Sequence, residues 1–253
     1  VHREEDLIEE VARHHGYDSL PATFPELTRP APAPGTWRTR DAAVRQLLTG
    51  CGFSEAVTYG FIEVDAALAF HADETDIVAL SNPLSEKGAV LRPSLLPGLF
   101  DSLVHNRRRE RQDIRLFEIG SRFRQRDGES SALALVMTGA AVPPHWSEND
   151  RRTDFFDVPG VITRLCAGFG GTATFSSNNA DAFVPGRTAR VGMMLGSKTH
   201  DLGLVGQLDP TLATQRGLPG GDDVYVAELD LRTLSLQAQK GFRAAPIPRH
   251  PSI

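Results

Sequence analysis

The chain has 253 residues, 40% apolar and 23% charged, which is enough to bury a sizeable core and too apolar for a disordered chain. No run approaches the ~18 apolar residues of a membrane span, and a net charge of -5 excludes a generic polyanion binder while leaving local basic clusters open. Cys51 and Cys166 stand far apart without CxxC spacing, which excludes a disulfide scaffold and a thiolate zinc site and fits a reducing compartment.

The chain opens at Val1 without a signal-peptide core or an initiator Met, so it reads as a piece of a longer protein. Leu7, Ile8, Val11 and Ala12 form one apolar stripe and predict a short helix over residues 3–15, ended by Gly16. Pro21, Pro25, Pro30, Pro32 and Pro34 then forbid helix and predict an extended strap closing at Gly35. At ~3.1 Å per residue, that strap could span roughly 40 Å between the tail of one domain and the body of another. A second helix is predicted near 36–50, with Thr36 as N-cap and Trp37, Val44, Leu47, Leu48 and Cys51 on one face. Val57, Tyr59 and Phe61 alternate as in a strand. Ser94 precedes a helix that buries Leu95, Leu96, Leu99, Phe100, Leu103 and Val104. Residues 113–123 are apolar on both alternating faces and predict a central strand covered on both sides. A strand over 132–138 follows, then a helix capped by Asp157 that carries Ile162, Leu165, Cys166 and Phe169. Strands are predicted at 188–195, 201–207 and 223–230. Together these predict an α+β fold: a mostly antiparallel sheet flanked by helices, preceded by a short helix and a Pro-rich linker.

Several groups could carry chemistry. Asp6, Glu9 and Glu10 project from one helical face, an oxygen-donor set that suits Mg²⁺. Their alternative is a solvated face in which Glu9 and Glu10 pair with Arg13, preferred on spacing alone. Arg107, Arg108, Arg109 and Arg111 could bind phosphate or simply complement a helix dipole, and the second reading is preferred in an acidic chain. Glu118, within a strand apolar on both faces, is either a tuned acid or the partner of an arginine; Arg115 points to the opposite face, so that partner lies elsewhere. His145 with Asp154 and Asp157 could form a base and its orienting group, but no nucleophile elbow lies nearby. His14 and His15 are adjacent and make a poor metal pair. No GxGxxG or GxxxxGK[ST] occurs.

Longer strings carry a resemblance. Glu4-Glu5-Asp6-Leu7-Ile8-Glu9-Glu10-Val11-Ala12-Arg13 with Gly16-Tyr17-Asp18, Leu80-Ser81-Asn82-Pro83-Leu84-Ser85, Leu91-Arg92-Pro93-Ser94-Leu95-Leu96-Pro97-Gly98-Leu99 and Arg115-Leu116-Phe117-Glu118-Ile119-Gly120 occur in order. Asp154-Phe155-Phe156-Asp157, Pro185-Gly186-Arg187, Gly206-Gln207-Leu208-Asp209-Pro210 and the closing Arg249-His250-Pro251-Ser252-Ile253 follow. The whole resembles the bacterial phenylalanyl-tRNA synthetase β subunit. The resemblance implies that residues 1–20 end a small metal-binding helical domain, 21–35 are a linker, and 36–253 form a class II synthetase-like core that has lost catalysis. It implies an α₂β₂ assembly with a catalytic α subunit, charging tRNA(Phe) with phenylalanine at the expense of ATP in the cytoplasm. It implies a Mg²⁺ site at Asp6, Glu9 and Glu10, completed by an aspartate that would precede Val1. It implies no catalytic or nucleotide-binding residue here, because Leu116-Phe117-Glu118 lacks the Arg that active class II domains place two residues before a Glu. His14-His15 and Asp209 depart from the family's usual residues. The editing and tRNA-binding regions lie outside this chain, so it is expected neither to edit nor to capture tRNA strongly alone. The alternatives are a stand-alone RNA-binding module at Arg107–Arg111 and a metal-dependent hydrolase at Asp6, Glu9 and Glu10.

Overall fold

The computed structural model describes residues 3–23, 35–71, 73–83, 85–142, 145–146 and 151–234. The strap from residue 24 to 34 and the closing Arg249-His250-Pro251-Ser252-Ile253 lie outside the described residues. The chain divides into two units, Val1–Pro34 and Gly35–Ile253.

In the first unit, helix α1 (Glu4–His15) has acids in its first turn and Arg13, His14 and His15 in its last, which suits the helix dipole. Gly16, at φ 93°, ends it. The predicted stripe forms, but Leu7, Ile8 and Val11 are exposed.

In the second unit, helix α2 (Thr36–Gly50) is followed by two short strands, β1 (Ser54–Glu55) and β2 (Phe61–Ile62), and helix α3 (Val64–Phe70). Then come β3 (Val78–Ala79), β4 (Val90–Leu91), helix α4 (Leu96–Arg107), β5 (Ile114–Arg124) and β6 (Gly128–Thr138). Helix α5 (Asp157–Gly168), β7 (Thr172–Ser177), β8 (Phe183–Leu195), β9 (Lys198–Leu208), α6 (Pro210–Gln215), β10 (Tyr225–Asp230) and α7 (Leu231–Leu234) complete the described chain. The main sheet runs β1-β5-β6-β10-β9-β8-β7, antiparallel except for the parallel β1–β5 pair, and β2-β4-β3 form a small antiparallel sheet. This is the predicted α+β class with an antiparallel-dominated sheet. No described helix is long and apolar enough to cross a membrane.

Side-chain alternation along the strands builds two cores. Leu133, Leu135 and Met137 of β6 face Val44 and Leu48 of α2 and Ile162, Leu165 and Cys166 of α5. Ala132, Ala134 and Val136 face Leu99, Phe100 and Leu103 of α4. Burial pushes the Cys166 thiol up to about 11, so it is an inert apolar group and not a nucleophile.

Several local expectations are corrected. Thr36 is the first helical residue and Gly35 holds the cap position. Trp37 stays exposed, with Arg38 stacked over its ring at 5.2 Å. β5 lies second from the sheet edge, whereas β6 is buried on both faces from Ala132 to Thr138. The predicted strand through Val57, Tyr59 and Phe61 forms only at Phe61, the start of β2; upstream of it the Thr58 amide donates to the Glu118 side chain and not to a neighbouring strand. Asp157 does not cap α5; it accepts from both terminal nitrogens of Arg151 (2.7 and 2.8 Å) and from the Asp154 amide (2.7 Å). The hydrogen bonds from Arg151 hold its carboxyl below the usual range.

Asp209 does cap a helix. Its carboxylate accepts from the amides of Thr211 (2.7 Å) and Leu212 (3.3 Å), and these bonds hold its pKa below the ordinary value. A carboxyl depressed in the folded state stabilises above its unfolded pKa of ~3.9 and loses that contribution as the pH falls through the folded value. Asp209→Ala is therefore expected to cost about 1 kcal/mol at pH 7 and less at pH 2.5. Denaturant melts at the two pH values check this; equal losses at both would contradict it.

Candidate functional site

The register of three strands places chemistry on the α4 face of the sheet. Glu118 of β5, Ala134 of β6 and Glu228 of β10 lie in one row, and Gly120, Ala132 and Asp230 lie in the next. Arg122 and Ser130 follow. The small residues Ala134, Gly120 and Ala132 leave room above the sheet for charged groups that would otherwise meet apolar side chains.

Glu118 is 1% exposed and Arg92, reaching in from the β4–α4 connection, is 7% exposed. Their ion pair is 2.7 Å long. Burial of one charge alone costs several kcal/mol, so each group requires the other. Glu118 also accepts from the Thr58 amide (3.1 Å) and hydroxyl (2.8 Å), and Arg92 Nε donates to the Ser121 carbonyl (2.8 Å). Gly120 is the floor beneath the guanidinium: a Cβ there would lie 2.4 Å from Arg92 Nη2.

Glu228 receives the start of α4. Its Oε1 accepts from the Leu95 amide (2.7 Å) and the Ser94 hydroxyl (2.9 Å), placing a carboxylate at the positive end of the helix. The Ser94 hydroxyl in turn accepts from the Leu96 amide, as its place before the helix predicts. Arg122 bridges Glu228 (3.1 Å) and Asp230 (3.3 Å), and its Nε donates to Ser130 Oγ (3.0 Å). Burial alone would raise the Asp230 pKa, but the hydrogen bonds and charge of Arg232, with Arg122, outweigh it and hold the carboxyl below the usual range. Three guanidiniums, of Arg92, Arg122 and Arg232, thus meet three carboxylates, of Glu118, Glu228 and Asp230. Arg124, one step further along the same face of β5, donates Nε to the Pro93 carbonyl (3.2 Å).

The chemistry of this row is self-neutralising. A triphosphate needs cationic forks that are free to meet it. Here Arg92 and Arg122 already hold carboxylates, and Leu116, on the Glu118 side of β5, packs into the apolar core. Arg115 donates to the carbonyls of Ala140 (3.1 Å) and Ala141, away from Glu118, as the strand parity predicts.

The other candidate residues are placed apart from this row. On α1, Glu10 accepts from Arg13 (2.7 Å) and Asp6 accepts from the Arg3 amide (3.3 Å). Among the described residues, no group of three or more His, Cys, Asp or Glu is arranged to hold a metal ion. Arg107 is tied to Asp222, while Arg108, Arg109 and Arg111 are exposed around a turn in which Glu110 adopts φ 64°. Asp154 and Asp157 both bind Arg151, and the His145 and Trp146 rings lie tilted against each other with centroids 5.4 Å apart.

Sequence reasoning missed Arg92 and Arg122 as the partners of the buried acids. Arg122 was open to parity, since it follows Glu118 by four residues on the same strand face. Arg92 was not, since it meets Glu118 only through the fold.

A groove of about 750 Å³ runs between residues 55–63 and α4. Val57 (88% exposed), Tyr59 (77%) and Phe61 present apolar groups there, and the Tyr59 and Phe61 rings stack at 5.5 Å. Two acids at the rim are paired internally, Glu55 with Arg45 (2.8 Å) and Asp101 with Arg216 (2.7 Å), and Glu63 and Lys87 line the groove beside the apolar groups.

Residues 20–231 match the family described as the phenylalanyl tRNA synthetase beta chain CLM domain. The chain belongs to this family. Its relatives include the phenylalanine–tRNA ligase β subunit of Bacillus licheniformis, 35% identical over 257 residues, covering 99% of this chain and 31% of that protein. The β subunit of Geobacillus kaustophilus is 35% identical over 258 residues, with the same coverage. That of Dehalococcoides mccartyi is 33% identical over 258 residues, covering 98% of this chain and 30% of that protein. The chain thus spans about a third of the length of the relatives it matches. The resemblance read from its strings is confirmed at the level of the family.

Proposed function

We propose that this chain forms the non-catalytic core of a phenylalanine–tRNA ligase β subunit, a class II synthetase-like body that holds a catalytic α subunit in an α₂β₂ assembly. In that assembly the α subunit uses ATP to charge tRNA(Phe) with phenylalanine in the cytoplasm. The observation that carries the reading is the neutralised row: a sheet face whose buried guanidiniums are spent on Glu118, Glu228 and Asp230 has a structural use and no evident substrate. Residues 1–20, 21–35 and 36–253 act as the end of a helical domain, a linker and the core. Mg²⁺, where present in the longer protein, would draw on Asp6, Glu9 and Glu10 together with further donors, and supplies charge that steadies those acids.

The apolar groove beside Val57, Tyr59 and Phe61 is the docking face for the α subunit. Two of its acids, Glu55 and Asp101, are already paired and its outer rim is largely apolar, which suits a protein surface better than a polyanion, and exposed aromatics are the side chains that dominate such contacts. Tyr59→Ala is expected to weaken α-subunit binding about 30-fold, the effect of losing ~2 kcal/mol at a hot spot. Its melting point should stay within ~1 °C, because the ring supports little else. Equal affinity of variant and parent would move the docking face elsewhere.

The experiment that tests the function is co-purification with the catalytic α subunit, followed by phenylalanine-dependent ATP–pyrophosphate exchange. The expected result is a stable complex, with exchange absent from this chain alone. Exchange by the isolated chain, or failure to bind the α subunit, would overturn the reading.

A further inference from the structure

The segment between β1 and β2 raises a physical problem. Val57, Tyr59 and Phe61 point outward, yet water favours folding such side chains inward. Between the two short strands no ladder holds the backbone in place. The Ala56 amide still donates to the Phe117 carbonyl (2.8 Å), but from Thr58 to Gly60 the hydrogen bonds that replace the ladder lead to one buried pair. The Thr58 amide and hydroxyl donate to the two oxygens of Glu118. Arg92 Nη1 donates to Thr58 Oγ1 (2.9 Å), with longer contacts to the carbonyls of Thr58 (3.4 Å) and Tyr59 (3.5 Å). The Arg92 amide donates to the Gly60 carbonyl (2.9 Å). Thr58, Tyr59 and Gly60 are thus bound one after another to Arg92 and Glu118.

We infer that Arg92 and Glu118 are positioning residues for the docking arm: through Thr58 they lock residues 57–61 in the conformation that presents Val57, Tyr59 and Phe61 to the α subunit. This rests on the docking face proposed above. Helix α4 is shaped to the same end. Thr58 lies directly over Gly98, where a Cβ would come within 2.4 Å of Thr58 Oγ1 and 2.8 Å of its Cβ. Alanine is the better helix former, so glycine at this helical position is explained by the space Thr58 takes. A preorganised arm binds more tightly because its ordering is complete before the partner arrives.

Thr58→Val keeps the shape over Gly98 and removes the hydroxyl, and Thr58→Ser restores it. The test measures α-subunit affinity by titration, and hydrogen exchange residue by residue, on this chain and both variants. The expected result is roughly tenfold weaker binding for Thr58→Val, with near-parental binding for Thr58→Ser. The amides of Thr58 and Tyr59 should exchange faster in the valine variant, while those of β6 and β10 keep parental protection. Faster exchange with undiminished binding would overturn a positioning role, and unchanged exchange would overturn the lock itself. If the parent chain does not bind the α subunit, the docking face fails; the exchange of Thr58 and Tyr59 still decides whether the lock exists.

Discussion

Glu118→Ala is expected to destabilise the body by ~3–5 kcal/mol, the usual consequence of leaving a buried guanidinium without its partner. Arg92 is 7% exposed and cannot regain water without leaving its place above Gly120. The loss corresponds to a drop in melting point on the order of 10 °C for a domain of this size. Glu118→Gln should also destabilise, since it keeps the acceptor for Thr58 but not the charge. Replacing both partners, with Glu118→Leu and Arg92→Met, should recover much of the loss, because an apolar pair leaves no buried charge behind. Thermal and denaturant melts of the three variants measure this. A Glu118→Ala protein within ~1 kcal/mol of the parent would mean that the pair is not buried as a unit.

Gly203→Ala is expected to have a comparable effect by a different route. Gly203 sits at φ 151°, in backbone space that side chains rarely enter, and a Cβ there would lie 2.1 Å from the Glu228 carbonyl oxygen. The obstacle is backbone of the neighbouring strand, which cannot swing aside as a flexible side chain would. The register between β8 and β9 shifts here, with Val191 opposite Gly203 and Gly192 opposite Asp201, so β9 bends where it meets β10. Moving β10 outward also moves the Glu228 carboxylate that receives α4 and Arg122. A loss of roughly 3 kcal/mol or more follows from strain and broken pairing together. A melting point unchanged within ~2 °C would show that the bend is not constrained as described.

How much was legible in the sequence depended on what each pattern encodes. Helices α4 and α5 were readable because their apolar residues recur at helical spacing and all of them reach the core. Strand β6 was readable because Ala132–Thr138 is almost wholly apolar. Edge strand β7 was not anticipated, since Thr-Ala-Thr-Phe-Ser-Ser carries no apolar alternation. The alternation of Val57, Tyr59 and Phe61 was real but misread: period two reports which residues share a side, not whether that side faces the core. Asp157 was misread as a cap because Arg151, six residues earlier, competes for its carboxylate. The buried charge at Glu118 was visible from the strand pattern, and so was its need for an arginine. The identity of that arginine depends on a contact between residues 26 apart, which only the fold supplies.

The proposed non-catalytic role requires that the α4 face of the sheet, where Glu118, Glu228 and Asp230 hold Arg92 and Arg122, take up no nucleotide. Titration of the chain with Mg·ATP, followed by calorimetry or by chemical shifts of the β5 and β6 amides, tests it most directly. The expected result is no saturable binding at millimolar nucleotide. Stoichiometric binding that perturbs β5 and is abolished by Arg124→Ala would contradict it.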